Sequence, residues 1–427
     1  MPTRSIILAI AGSSMVFSHA AAAQDVVYLP VFYVGTNLSA DGSVVVGNQV
    51  GSYETFRWTA SSGPVLLGEA TAPVLGVGAG GPDVSHDGTR VSATILTEDA
   101  TLATPGFWTQ GLGWTRCMPP MAPDGRILDQ AIGSAWGISG DGTTVSGLHW
   151  YSMPDGSYGG ARPFTWSASS GLIQLDITAG QDGRANTTNL DGSVAVGWES
   201  NAFGHWQPVV WRNGTRMQLS ENDAFVGCEE VTSDGNTVVG QSWYEPTLNR
   251  VATVWAWNGS SYDQNQLGVL PGTPVDFGSS VAFGVSDDGS MIVGVNRFAV
   301  SPGGPSKGFI WTAETGMVEA EAYLADLGID VSDEMDLRSV DGISADGSTI
   351  LISGWDSATQ IIKSAIVTLT TPCVADTNGD GQLTPADFTA WINAFNNALP
   401  ECDQNADGAC TPTDFTAWIN NYNAGCD

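Results

Sequence analysis

Short apolar runs rich in Val and Ile alternate with polar turns along most of the chain, and the alternation has a long period. An apolar residue, a small polar residue, any residue and then Asp-Gly recurs seven times. The copies are Leu38-Ser39-Ala40-Asp41-Gly42, Val84-Ser85-His86-Asp87-Gly88, Ile138-Ser139-Gly140-Asp141-Gly142, the looser Thr188-Asn189-Leu190-Asp191-Gly192, Val231-Thr232-Ser233-Asp234-Gly235, Val285-Ser286-Asp287-Asp288-Gly289 and Ile343-Ser344-Ala345-Asp346-Gly347. Their spacings are 46, 54, 50, 43, 54 and 58 residues. Asp-Gly between two apolar runs predicts a β-hairpin with a type I′ turn, both turn residues at positive φ. Five copies place a Gly six residues past the Asp (Gly47, Gly147, Gly197, Gly240, Gly294); the second has Ala93 there, and the seventh has Ile352 with Gly354 two further on. An apolar-x-Trp strand follows as Phe56-Arg57-Trp58, Phe164-Thr165-Trp166, Val209-Val210-Trp211, Trp255-Ala256-Trp257 and Phe309-Ile310-Trp311. Phe107-Trp108 is a compressed version, and Ala365-Ile366-Val367 replaces the Trp. A small-residue turn and a fourth short strand come next, as in Ser61-Ser62-Gly63 before Val65-Leu66-Leu67.

Each repeat therefore reads as a four-stranded antiparallel unit. One such sheet cannot bury both faces, so neighbours must stack, and seven units of about 50 residues match the blades of a β-propeller. The expected fold is all-β, a seven-bladed propeller over residues 24–369. Val26-Val27-Tyr28-Leu29 is placed to complete the seventh blade, which would remove the free sheet edges. The repeats resemble the HAF family of extracellular repeats from exported bacterial proteins over residues 31–369. The last interval is the most similar: Phe309-Ile310-Trp311-Thr312-Ala313-Glu314-Thr315-Gly316-Met317, a helical segment over residues 319–327, then Ile343-Ser344-Ala345-Asp346-Gly347. The resemblance implies architecture and export and carries no catalytic residues.

The N-terminus agrees with export. Arg4 precedes a mostly apolar stretch over residues 5–17, and Ala21-Ala22-Ala23 offers an A-x-A cleavage site, so residues 1–23 read as a signal peptide. No other run approaches the ~20 apolar residues of a membrane span. The protein is expected to be secreted or held at the cell surface, where its six Cys can form disulfides. Forty-five acidic residues against 14 basic give a net charge of −31, which excludes nucleic acid and anionic membranes as partners.

The chemistry of the repeats is harder to read. The seven Asp are expected to serve turns, and the blade Trp to pack between sheets. Aromatics that do not recur are better placed to stack on a sugar or peptide: Trp114, Trp136, Trp150, Tyr151, Trp198, Trp206, Trp243 and Tyr244. Glu229-Glu230, and Glu319 with Glu321, are candidate glycosidase-type carboxylate pairs. No metalloprotease, serine-hydrolase or phosphate-loop motif occurs. No catalytic residue is assigned. The reading is a non-catalytic binding or display protein, the alternative a polysaccharide lyase or glycoside hydrolase. An acidic cluster in a funnel would favour the enzyme, and an aromatic-lined face would favour binding.

Composition changes sharply in residues 370–427. Asp376-x-Asn378-x-Asp380-Gly381-x5-Asp387 and Asp403-x-Asn405-x-Asp407-Gly408-x5-Asp414 fit the EF-hand loop, except that both end in the shorter Asp where an EF-hand has Glu, with ligand carbonyls at Gln382 and Ala409. Two loops imply two Ca²⁺ ions. Each is followed by the same helix, opened by Thr384-Pro385 and Thr411-Pro412 with a capping box to Asp387 and Asp414. Phe388, Trp391, Ile392 and Phe395, and likewise Phe415, Trp418, Ile419 and Tyr422, form stripes expected to face each other. A duplicated loop-helix without the entering helix resembles a dockerin, which implies a cohesin-like partner on a scaffold or surface protein. The module differs from cellulosomal dockerins in its 27-residue offset and in Cys373, Cys402, Cys410 and Cys426. Cys410 stands where the first loop has Leu383 and is expected in a disulfide. Cys117 and Cys228, in non-adjacent blades, are expected not to pair with each other.

Overall fold

The structure, a computed structural model, describes residues 26–70, 80–96, 103–117, 127–153, 155–220, 224–247, 249–275, 277–299, 304–369, 373–378, 382–397, 399–405 and 407–425. The expected signal segment over residues 1–23, Asp380 and Cys426 lie outside them. The described residues divide into two compact units, one within 25–370 and the other within 371–427.

Among the described residues the first unit holds seven four-stranded antiparallel sheets, two of them joined by one parallel bridge, Arg250 to Ser279. Within the first six blades the strands follow chain order, as in Tyr33–Leu38, Val44–Gln49, Glu54–Thr59 and Gly63–Ala70. The innermost strands are Tyr33–Leu38, Asp83–Val84, Ile127–Ile138, Gly183–Thr188, Gly227–Val231, Ser279–Val285 and Met335–Ile343. Each packs on the neighbouring blade, and Tyr33–Leu38 packs on the seventh. The molecule is a seven-bladed β-propeller.

Closure comes from the chain ends. Val26–Tyr28 pairs antiparallel with Ile362–Thr368, Val26 opposite Val367. Lys363 fixes this seam: its Nζ sits 4.3 Å from the Tyr28 ring centroid and 2.8 and 3.0 Å from Glu334 and Asp356. A helix, α1 (Ala320–Asp326), lies in the last interval, where helical structure was expected.

A close-packed glycine recurs in six blades, and buried tryptophans fill the space between several of them. An added Cβ at Gly47, Gly147, Gly197, Gly240 or Gly294 would come within 1.9–2.2 Å of a carbonyl oxygen of the adjacent innermost strand. Gly354 does the same in the seventh blade, at 2.1 Å from Asp336. Trp211 and Trp255 are buried completely and Trp58 nearly so.

The Asp-Gly hairpins depart from the expected type I′ turn. Only the Gly is left-handed, with φ from 68° to 76° across the seven copies, while no Asp has positive φ. The loop is four residues long: Ser39 N–H donates to Val44 O at 2.9 Å, and Gly42 N–H donates to Ser39 O. The reason lies two residues upstream of the Asp. The Ser39 hydroxyl donates to Asp41 at 2.7 Å and its oxygen accepts from Val44 N–H at 3.0 Å, while Asp41 also accepts from Ser43 N–H. Ser85, Ser139, Thr232, Ser286 and Ser344 donate to their Asp in the same way. A side-chain-capped turn of this kind satisfies more polar groups than a bare two-residue loop. The seven Asp are turn residues. Burial works against the ionised form of Asp41, but the hydrogen bonds from Ser39 and Ser43 prevail and hold its carboxyl below the usual range.

In the second unit, α2 (Pro385–Asn397) and α3 (Pro412–Ala424) pack through their aromatic stripes. Phe388 meets Phe415 and Trp418 at 5.8 and 5.2 Å, and Trp391 meets Phe415 at 5.4 Å. Thr411 caps α3 with the expected capping box to Asp414. Cys402 and Cys410 form a disulfide, and Cys373 is disulfide-bonded as well. Ile392, Phe415 and Ile419 stay partly open to solvent at 38–40% exposure, while Trp391 and Trp418 are buried.

Candidate binding site in the central channel

A β-bulge interrupts six of the innermost strands at one register. It falls between Gly35 and Asn37, Ala135 and Gly137, Ala185 and Thr187, Cys228 and Glu230, Ala282 and Gly284, and Val340 and Gly342. The bulged residue stands five before the Asp of each hairpin: Thr36, Trp136, Asn186, Glu229, Phe283 and Asp341, with Pro82 in the same place in the short second strand. All seven line a single cavity of ≈ 400 Å³ at the centre of the propeller. A bulge re-aims a side chain that regular pleating would tuck between blades.

The next residue along contributes a second ring, Asn37, Asp83, Thr187, Glu230, Gly284 and Gly342, with Gly137 at the same register of the third blade. Below it the channel narrows to a space of ≈ 80 Å³ that also reaches Ala40, His86, Gly140, Leu190, Ser233, Asp287 and Ala345. These last seven residues stand at or beside a closed circlet of hydrogen bonds. Ala40 N–H donates to His86 O, His86 to Gly140, Asp141 to Leu190, Leu190 to Ser233, Ser233 to the Asp287 carboxylate, Asp287 to Ala345, and Ala345 back to Ala40, all at 2.8–3.2 Å. One end of the channel is thus wide and chemically varied, the other narrower and ringed by hydrogen bonds from blade to blade.

Four carboxyl groups face the wide end. Asp83 accepts from Asn37 Nδ2 at 2.6 Å, Val84 N–H at 2.8 Å and Ile138 N–H at 2.9 Å, bridging three blades. Burial nevertheless raises its pKa to about 6. Burial, reinforced by Asp83, Asp287 and Glu229, pushes the Glu230 carboxyl well above its ordinary range. Glu230 accepts from Val231 N–H at 2.7 Å. Glu229 is raised by burial too, against the pull of Arg184 and Arg297, and accepts from Asn186 Nδ2 at 2.9 Å. Asp341 is raised by burial against hydrogen bonds from Ser353 and Ser339.

An aromatic wall adjoins the acids. The Arg184 guanidinium lies 3.3 Å from the Trp136 ring centroid and 5.4 Å from Trp198, and Trp198 stacks on Trp206 at 4.4 Å. Phe225 meets Trp206 edge-on at 5.5 Å. Burial lowers the Arg184 pKa to about 10 while Glu229 opposes the shift. Because strand direction alternates, the loops from second to third strands and from blade to blade share the wide end. Exposed Phe32, Tyr53, Phe203, Phe225 and Phe277 all sit on those loops, Phe203 at 81% exposure.

Of the aromatics singled out by sequence, Trp136 lines the cavity, and Trp198 and Trp206 extend its wall. Trp114 packs between the first two blades, its Nε1 donating to Leu67 O. Tyr151 is buried, Trp150 and Trp243 are half-buried, and Tyr244 is exposed; none of the four lines the cavity. Glu229 and Glu230 reach the site. Glu319 and Glu321 are instead held by Lys307 at 2.9 and 3.2 Å, so they form a salt bridge and no carboxylate pair. Asp83 and Asp341 were missed by sequence, although both stand in the two registers that supply Glu229 and Glu230. Cys117 and Cys228 are free and buried, and burial raises both thiols.

In the second unit the loop residues Asp403, Asn405 and Asp407 fold around their own amides. Gly408 N–H donates to Asp403 at 2.8 Å, Asp407 N–H to Asn405 at 3.0 Å and Ala409 N–H to Asp407 at 2.9 Å. Asp414 turns its two oxygens to amides, those of Thr411 at 2.7 Å, Gln404 at 3.0 Å and Asn405 at 3.3 Å. Asp387 likewise accepts from Thr384 N–H and Asn378 N–H. Among the described residues no three His, Cys, Asp or Glu side chains gather closely enough to hold a metal ion. The donor types, all oxygen, suit a hard cation.

No protein-family model matches the chain, and no curated protein does. Solved structures of similar shape include an oligogalacturonate lyase from Vibrio parahaemolyticus (12% identity, 82% of this chain and 92% of that one, TM-score 0.49). The β-propeller domain of the Trilobed protease from Pyrococcus furiosus follows (11%, 80% and 96%, 0.45), then TolB from Acinetobacter baumannii (14%, 68% and 62%, 0.40). The chain spans less than two thirds of that TolB. Nothing about activity passes from them to this protein.

Proposed function

We propose that this is an exported recognition protein that binds a glycan or peptide end in the wide mouth of its channel and is anchored by its C-terminal module. The observation that carries the first part is the convergence of seven different side chains, one per blade, on one cavity. Aromatic faces, amides and carboxyls in a preformed concave site are the usual equipment for holding a polar ligand. The exposed aromatics on the loops at this end widen the same surface. For the second part, the paired dockerin-like loops motivate Ca²⁺-dependent docking to a cohesin-like surface protein, Asp376, Asn378, Asp380, Gln382 and Asp387 serving one ion and Asp403, Asn405, Asp407, Ala409 and Asp414 the other. The signal-like leader motivates secretion.

A polysaccharide-degrading enzyme is the second reading, favoured by the raised carboxyls of Glu229, Glu230 and Asp341, since a general acid must stay protonated near neutrality. Glycan binding by the full chain, followed in parallel with reducing-sugar release and uronate-double-bond absorbance, separates the two. Binding without product formation supports recognition; turnover that disappears in Glu230→Gln supports the enzyme and overturns it.

A further inference from the structure

We infer that the channel mouth is a receptor for a primary ammonium group carried on a slender chain, as in a lysine side chain or an amino sugar. The inference rests on the channel mouth being the binding site and names the chemistry of what enters.

Charge balance is the first ground. Asp83, Glu229, Glu230 and Asp341 line the cavity, and no Lys or Arg is among its lining residues. Arg184 and Arg297 act on Glu229 alone of the four. The charged groups that act on Glu230 are Asp83, Asp287 and Glu229, all acidic. Glu230 and Asp341, raised with no basic group among the causes, favour the protonated form, and a cation that enters supplies the counter-charge they lack.

The second ground is independent of the acids. Six blades place an apolar residue three before the hairpin Asp: Leu38, Val84, Ile138, Val231, Val285 and Ile343. The fourth blade has Thr188. It is 4% exposed and lines the narrow part of the channel beside Thr187 and Glu230, and its Oγ1 has no hydrogen-bond partner. A buried hydroxyl without a partner costs stability, about 1–3 kcal/mol by general experience, unless something binds it. An ammonium N–H is a donor such an oxygen can accept.

Shape selects the slender chain. Trp136 and Phe283 stand in the outer ring and Asp83 and Glu230 in the next, one strand residue or about 3.3 Å deeper. The outer ring also carries Asn186, Glu229 and Asp341, so its two aromatic faces can hold a methylene stem while acceptors at both depths meet the charged head. The ≈ 80 Å³ of the narrow part admits a head group and little more.

The test titrates the full chain at neutral pH with Nα-acetyl-lysine amide, glucosamine and N-acetylglucosamine by calorimetry in two buffers of different ionisation enthalpy. The first two are expected to bind one to one with proton release, and the third, neutral, to bind about ten-fold or more weakly. Which of the first two binds tighter tells a peptide from a sugar source. Glu230→Gln should weaken the ammonium ligands by about ten- to hundred-fold, and Thr188→Val by about three- to ten-fold without lowering the melting temperature. Glu319→Gln should change nothing. Equal or tighter binding of the neutral sugar, lost in Trp136→Ala, would overturn the ammonium assignment and leave the channel as the site. Absence of binding by all three would overturn both.

Discussion

His149 shows how one side chain can set the acid tolerance of the molecule. Its ring is fully buried and stacks on Phe164 at 4.1 Å, and neither nitrogen has a hydrogen-bond partner. Burial holds its pKa at about 3. The unfolded chain binds a proton there near pH 6.5 and the folded chain does not, so the stability it lends is complete above pH 6.5 and drains as pH falls toward 3. The slope is roughly 1.4 kcal/mol per pH unit. Asp83 acts with the opposite sign: its raised pKa favours the fold below about 4, an advantage lost as pH rises through about 6. Acid melting curves of His149→Leu should therefore be flatter than wild type between pH 6 and 4. Parallel curves for the two proteins would show that this ring does not limit acid stability.

Within a blade, the glycine in the middle of the second strand is the tightest contact. Gly147→Ala drives a methyl to 2.0 Å from Ser134 O and should lower stability by about 1–3 kcal/mol, read as a fall in melting temperature. Recurrent features of this sort were legible in the sequence because repetition marks them: the strands, the blade Trp, the close-approach Gly and the duplicated capped helices. The turn type was not. Asp-Gly alone suggests a two-residue loop, and only the hydroxyl two residues before the Asp, as in Ser39 and Asp41, turns it into a four-residue one. In the C-terminal unit, α2 and α3 are held by a small aromatic core, disulfides and acidic loops. Chelation of Ca²⁺ from the full chain should lower its helical circular dichroism, while an unchanged spectrum would count against metal-dependent loops.

At the scale of the whole molecule, the ring is shut by three residues. A chain lacking Val26–Tyr28 exposes the edge of Ile362–Thr368 and loses the Tyr28–Lys363 contact. It should melt at lower temperature and self-associate, as scanning calorimetry and light scattering would report; an unchanged melt would mean that the seam is dispensable. The channel was only half legible. Glu229, Glu230 and Trp136 stood out as individuals, yet the rule that gathers them did not, because attention to what recurs passes over the register where nothing recurs. Five residues before each Asp the chain reads Thr, Pro, Trp, Asn, Glu, Phe and Asp, and a bulge, invisible in composition, turns that register inward. The most direct measurement of the central claim is the binding profile of the full chain on an array of glycans and peptides, compared with Trp136→Ala/Glu230→Gln in the mouth and Leu112→Asp on a hairpin at the opposite end. The account predicts that the mouth variant loses the wild-type signals and the Leu112 variant keeps them; signals that survive the mouth substitutions and vanish with Leu112→Asp would contradict it.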